Sequence, residues 1–507
     1  MSYLLGIDIG TSGTKTILID SLGTEIASSS ADYPLYQRQN GWAEQEPLDW
    51  WGATVNTCHA VLYKSGVNPH DIAGIGLTGQ MHGLVMLDEC GELLRDSIIW
   101  CDQRTALERE EINTAVGPEK LLQITANPAI TGFTAAKLLW VRNNQPHLYA
   151  KCKKILLPKD YIRYKLTGEF ATDVSDASGT QLLDIANRDW SKEVLQDLDI
   201  DINLLPKVYE SYEVSGQVTK EASDLIGLTE GTKVVAGAGD NAAAAVGMGV
   251  VVDDKAFTTI GTSGVVYAHT SQMKIDPKGR VHTFCSAVPG EWHMMGVTQA
   301  AGLSLQWFRN NFCPQEIAQA KEEQVDSYEL MNSEAEEVPI GSNKLIYLPY
   351  LMGERTPYMD PGCRGVFFGL SASHERKDLI RAVMEGVAFS LYDCVTIFEG
   401  LGVRFPEMLV GGGGGRSKVW RLMLADVFNS EIKTLNSSES PSYGSAILAS
   451  VGTCIYSSIV EACSVLVKGN LTVQPDPVHH REYMKFYQVY QNLYKDLNLE
   501  FKNLAAL

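Results

Sequence analysis

The sequence predicts an α/β protein of two domains built on a duplicated β-meander. Three observations carry that expectation. The pentapeptide IGTSG occurs at Ile9–Gly13 and again at Ile260–Gly264, and β-rich segments flank both copies. Strands give way to amphipathic helical patterns in each half. At 507 residues the chain exceeds what one hydrophobic core usually holds, so two domains with a cleft between them are the default.

The elements follow in order. YLLGIDI reads as a strand before the first loop, KTILID as a strand after it, SLG as a turn and TEIASSSADY as a third strand. EPLDWWGATVNTCHAVLYKSG and TAAKLLWVRNNQPHLYAKC carry helical spacing, with short strands IAGIGLTG and GLVMLD between them. Around the second loop the meander recurs as KAFTTI, VVYAHT, VHTFCSAV and EWHMMGV. Helices follow in QAAGLSLQWFRNNF, KDLIRAVMEGVAFSLYDCVTIFEGLG and SKVWRLMLADVF. The boundary is placed before Lys233, giving domains 1–232 and 233–480, and EYMKFYQVYQNLYKDL supplies a C-terminal helix within 481–507.

Apolar residues make up 45% and charged residues 20%, the balance of a folded soluble protein. The formal charge of −19, without a Lys/Arg cluster, argues against nucleic acid and anionic membrane as partners. An acidic protein still binds a polyphosphate where backbone N–H groups and a divalent cation supply positive potential locally. No apolar run reaches the roughly eighteen residues of a membrane span. The ten cysteines lack C-x-x-C spacing and the N-terminus lacks a leader pattern, which fits a reducing cytoplasm.

The repeated loop is the strongest chemical signal. Gly10, Thr11, Ser12 and Gly13 in one copy, and Gly261, Thr262, Ser263 and Gly264 in the other, combine glycines that permit positive φ with N–H groups and hydroxyls turned into a concavity. One copy alone would be an ordinary tight turn. Two copies at equivalent places suggest a polyphosphate gripped from both sides of a cleft. Asp8, at the end of the first strand, either organises its loop or holds Mg²⁺ beside phosphate oxygens. Asp240 in GAGDNAAAAVGMG opens a helix, where it serves as an N-cap or, beside a phosphate loop, as the acceptor of a hydroxyl proton. Gly411–Gly415 join an apolar strand to an amphipathic helix and suit close approach to a base or ribose. No G-x-x-x-x-G-K-[ST] occurs. GIGLTG matches a dinucleotide fingerprint but is itself a strand followed by another, so it is rejected.

Taken together the chain resembles the FGGY carbohydrate kinases, over roughly Tyr3 to Tyr483. GFTAAKLLWVRNN and GVFFGLSASHERKDLIRAVME are similar to the two family signatures, and GLTGQMHGLVMLD, WCDQRT, SDASGTQLLD and GERTPYMDPGCRGVFFGL to the branch that acts on D-xylulose. The resemblance implies a two-domain actin/hexokinase/Hsp70-like (ribonuclease H-like) ATPase fold and ATP-dependent phosphorylation of a sugar, D-xylulose at its 5-hydroxyl. It implies Asp240 as the catalytic base; Met81, His82, Asp240 and Asn241 at the sugar; Asp8 at Mg²⁺; and Gly412, Gly413 and Gly414 at the adenosine. A homodimer is left open. Gly414, Ser440 and Ser445 depart from the usual family residues, all expected on the nucleotide side. Another ketose or polyol is the nearer alternative substrate, and a non-catalytic, nucleotide-switched binding protein the more distant one.

Overall fold

Two mixed sheets, one in each half, repeat the same strand pattern. The computed structural model describes residues 2–435 and 441–507, so Ser440 lies outside the described residues. The first sheet runs Val214–Gln217, Lys233–Val235, Ile72–Gly79, Tyr3–Ile9, Gly13–Asp20, Glu25–Asp32, with Ala238–Gly239 also pairing on Ile72–Gly79. The second runs His282–Cys285, Trp292–Thr298, Gly264–Thr270, Lys255–Ile260, Glu407–Gly411, Glu431–Leu435, Gly469–Val473. Tyr3–Ile9 and Lys255–Ile260 hold equivalent places. Each pairs antiparallel with the strand after its IGTSG loop and parallel with a later strand.

The second meander departs from the expected chain order. VHTFCSAV forms the outer strand His282–Cys285, and Trp292–Thr298 returns inside it to pair with Gly264–Thr270. The boundary expected at Lys233 falls inside the first sheet, because Lys233–Val235 and Ala238–Gly239 both pair with Ile72–Gly79. The division comes after helix Asp240–Met248, which lies between the sheets. Its Ala242, Ala243 and Val246 join the core of the first half, and Ala244, Ala245 and Met248 pack with Phe257, Tyr267 and Leu409 of the second. A run of alanines there leaves room for a sheet on either side.

Helix Pro441–Gly452 crosses back to the first sheet. A Cβ at Gly6 would stand 1.9 Å from the Ser442 carbonyl oxygen, and one at Gly76 would stand 1.8 Å from that of Ser445, so only glycine admits the helix this close. Ser445 packs on the first sheet, its hydroxyl donating to the Ser442 carbonyl at 2.9 Å. The C-terminal helix spans Pro477–Ala505, starting before residue 481, and is part of the second core: Tyr483, Tyr487 and Tyr490 are buried, with the Tyr490 hydroxyl 2.9 Å from that of Tyr350. The helix expected from TAAKLLWVRNNQPHLYAKC divides into Thr134–Asn144 and Pro146–Tyr149, since Pro146 has no N–H to continue the ladder.

Candidate active site

Alternation along the first strand places Asp8. Leu4 belongs to the cluster under helices Asp240–Met248 and Pro441–Gly452, while Leu5, Ile7 and Ile9 join the core on the other face with Trp50. Side chains two apart share a face, so Leu4, Gly6 and Asp8 all point toward those helices. Asp8 thereby comes near Asp240 at the start of one of them. Burial, then the Asp240 charge, pushes the Asp8 carboxyl up to about 7, against a smaller pull from Lys15. Its Oδ1 is buried with no hydrogen-bond partner among the described residues.

Asp240 is the first helical residue, and the capping position is Gly239. The N-cap role weighed for Asp240 is thus not its own. Its Oδ1 accepts from the Asn241 backbone N–H at 2.7 Å and from Asn241 Nδ2 at 2.9 Å. Burial raises its carboxyl to about 6, with those two bonds opposing. No lysine or arginine is paired with it among the described residues. A carboxylate so placed takes up a proton near neutral pH.

Met81 and His82 lie beside the first loop, because the N–H of the preceding Gln80 bonds to the Ile9 carbonyl at 2.8 Å. A Cβ at Gly239 would be 2.9 Å from Met81 Cγ and Sδ, so glycine there lets Met81 lie against the backbone entering Asp240. His82 has φ 69°, a left-handed conformation unusual outside glycine. Its ring stacks on Phe133 with centroids 4.4 Å apart, and Nδ1 lies 2.7 Å from the Gly179 carbonyl. Burial drives its pKa down to about 3, so the ring is neutral. A neutral ring facing a carbonyl carries its proton on Nδ1, which leaves Nε2 to accept from a ligand hydroxyl. The His82 carbonyl is held by Lys137 Nζ at 2.7 Å and Thr134 Oγ1 at 3.1 Å.

The two glycine loops are built differently from the expectation. None of Gly10, Gly13, Gly261 and Gly264 has a positive φ. Glycine is needed for close approach instead: a Cβ at Gly13 would meet the Ala31 carbonyl at 2.7 Å, and one at Gly264 would meet Thr298 Oγ1 at 2.6 Å. Gln45 Nε2 donates to the Thr11 carbonyl at 2.7 Å, Trp100 Nε1 donates to Thr11 Oγ1 at 2.8 Å, and the Tyr33 hydroxyl donates to Gly10 O. The second loop is fastened by main chain, with Gly302 N bonded to Gly261 O at 2.8 Å and Ala301 N to Thr262 O at 3.1 Å.

The second loop opens onto a cleft of ≈ 460 Å³ with Gly413, Gly414, Tyr328 and Trp420 in its walls. Gly412, at φ 77°, makes the bend that brings this run against Ile260, whose carbonyl oxygen a Cβ would meet at 2.8 Å. The first loop groups instead with Asp8, Asp240, Met81 and His82, through the Gln80–Ile9 hydrogen bond, the Met81–Gly239 contact and the Asp8–Asp240 repulsion. Sequence reasoning missed Tyr328, Asn332 and Gln306, which stand on polar helices with the pattern of an ordinary solvated face. It also missed Phe133, whose signal was only that it lies inside a signature-like segment.

Residues 3–247 match the N-terminal domain of the FGGY family of carbohydrate kinases and residues 256–453 its C-terminal domain. A xylulose kinase of Bacillus subtilis strain 168 is 38% identical over 506 residues, covering 99% of each chain. Two solved structures from Lactobacillus acidophilus, a ligand-bound xylulose kinase and a gluconate kinase, are each 28% identical with a TM-score of 0.92. Both cover 99% of this chain, and the coverage of their own chains is 100% and 99%.

Proposed function

The chain belongs to the FGGY family of carbohydrate kinases, and from that premise we propose that it transfers the γ-phosphoryl group of ATP to the 5-hydroxyl of D-xylulose, with Asp240 as base. The observation that carries the mechanism is Asp240: a carboxylate with no cationic partner among the described residues, raised to about 6 at a helix start whose capping Gly239 lies against Met81 and which interacts with Asp8. The sugar identity rests on the extended likeness to a xylulose kinase.

In the transfer, the sugar 5-oxygen forms a bond to the γ-phosphorus as the bond from that phosphorus to the β–γ bridging oxygen breaks. ADP leaves, and the hydroxyl proton passes to Asp240. Asn241 orients the carboxylate through its two hydrogen bonds. Met81 and Phe133 supply apolar walls, and neutral His82 accepts a sugar hydroxyl at Nε2. The second loop and Gly413–Gly414 receive the nucleotide in the cleft.

Asp8 fits a divalent cation. Its buried Oδ1 has no partner, and its charge is repelled by Asp240, so a hard cation there would satisfy both. When bound, Mg²⁺ neutralises phosphate charge. Asp8 holds it, directly or through water, while Lys15 in register opposite Asp8 keeps the carboxyl from rising further.

The test is a coupled ADP-release assay over pentuloses, hexuloses, polyols and gluconate, with the phosphorylated position determined by NMR. D-Xylulose with the phosphoryl group on C5 is expected to give the highest kcat/KM. A polyol or gluconate leading the panel would overturn the substrate, and sugar-independent ADP release would overturn the kinase reading.

A further inference from the structure

The segment that delivers Asp240 to the site is tied to a charge cluster that the transfer itself does not use. Lys159, Asp160, Arg163, Asp173 and Asp176 are all 0% exposed. Lys159 Nζ lies 2.6 Å from Asp160, 2.7 Å from Asp173 and 3.2 Å from Asp176, and Arg163 Nη2 lies 2.8 Å from Asp160. Burial holds the Asp176 carboxyl well above its usual range. Buried ion clusters of this kind are commonly no more stable than apolar replacements of the same volume. Their geometry, however, is sharply defined.

Two arms leave this cluster. On one, Asp173 Oδ2 accepts from the Ser175 hydroxyl at 2.5 Å and from the Ser211 hydroxyl at 3.1 Å. Ser175 Oγ in turn accepts the Gly239 N–H at 3.0 Å, the Ser211 carbonyl accepts the Gly237 N–H at 2.8 Å, and Arg163 donates to Ala236 O. Residues 236, 237 and 239 are thus each fastened just before Asp240. On the other arm, Asp173 caps helix Val174–Ala177, which continues into Ser178–Thr180, where the Gly179 carbonyl lies 2.7 Å from His82 Nδ1. One buried carboxylate therefore braces both the base and the sugar-side histidine.

We propose that Ser175, seated on the Lys159 cluster, is a positioning residue that fixes Asp240 relative to the His82 edge of the sugar site. Its hydroxyl donates to Asp173 and accepts from Gly239, so alanine removes the direct link, among the described residues, between the cluster and the residue capping the Asp240 helix. This rests on Asp240 being the base. A misplacement of about 1 Å costs up to about a hundredfold in rate while binding is largely preserved.

The experiment compares steady-state kinetics on D-xylulose and ATP, ADP affinity by calorimetry and thermal midpoint for the full-length wild type, Ser175→Ala, Ser175→Thr and Asp240→Asn. Ser175→Ala is expected to lower kcat by about 10- to 100-fold with the sugar KM and ADP Kd within about threefold, and Ser175→Thr to recover most of the loss. A wild-type kcat in Ser175→Ala overturns the proposal. So does a loss matched by equal weakening of ADP binding, or one that threonine does not rescue, since either marks a role in stability alone. Should the alanine variant not fold, Ser175→Cys, close in volume and a poor hydrogen-bonding group, is read by the same criteria. If Asp240→Asn turns over normally, the base assignment fails; if it is inactive while Ser175→Ala is fully active, only the positioning role fails.

Discussion

Thr11 and Thr262 occupy the same place in identical pentapeptides, yet their surroundings have little in common. Thr11 is bonded by Trp100 and Gln45, and its loop is further held by Tyr33. Thr262 is exposed, and its loop is held through main-chain bonds to the start of helix Gly302–Phe312. The flanking residues differ in the same sense. Asp8 precedes the first copy and Lys15 follows it, where the second copy has Thr259 and Val266. A duplicated motif has thus been divided by its neighbours: the first copy is rigid and charged and sits with the base and sugar-side residues, while the second is neutral and faces the cleft.

The largest expected effect falls on the charged side. Asp240→Asn should lower kcat by about 10²–10⁴ while ADP binding at the second loop stays near wild type. A parallel loss of ADP affinity would mean the two sides are not separable. Asp8→Asn should cost about 10- to 100-fold in kcat and raise the Mg²⁺ concentration needed for half-maximal rate, whereas Thr259→Val at the equivalent place should cost less than about threefold. Equal effects from the two would erase the distinction between the copies.

The pH dependence sharpens the same contrast. A base must be ionised, and Asp240 is raised to about 6, so kcat/KM should rise with pH through about 6 and level off above it. Asp8, raised to about 7, is still largely protonated while Asp240 ionises, so Asp8→Asn should leave this limb near 6. A limb that moves to lower pH in Asp8→Asn would mean that Asp8 ionises before Asp240. The smallest effect belongs to the hydroxyls. Thr262→Val should weaken ADP about three- to tenfold with little change in sugar KM, and Trp100→Phe, which frees Thr11 Oγ1, should change kcat by no more than about tenfold without touching ADP affinity.

Much of this arrangement was legible in the sequence, and the misses share a cause. Strands Tyr3–Ile9, Gly13–Asp20 and Glu25–Asp32 follow from alternation and turn residues, and the duplication follows from the repeated pentapeptide. Local pattern also placed Asp240 at a helix start. It could not show that Lys233–Val235 pairs with Ile72–Gly79, because parallel pairing across about 160 residues leaves no periodic trace. Nor could it show which need glycine meets: positive φ was anticipated in the IGTSG loops, and close backbone approach is what they use. The Lys159 cluster was equally hidden, since its charges are drawn from separate elements and look like solvated surface until they are folded together.

Helix Pro441–Gly452 bears on how the chain comes to be folded at all. It covers Leu4, Ile17 and Ile19 of the first sheet and rests on Gly6 and Gly76, residues made more than 350 positions earlier. During synthesis that apolar face can meet helix Asp240–Met248 early, but its covering is incomplete until nearly nine-tenths of the chain has been translated. The first half is therefore not a unit that can mature early and wait. Its final packing waits for residues 441–452, and a chain stalled before residue 441 leaves part of that apolar surface uncovered.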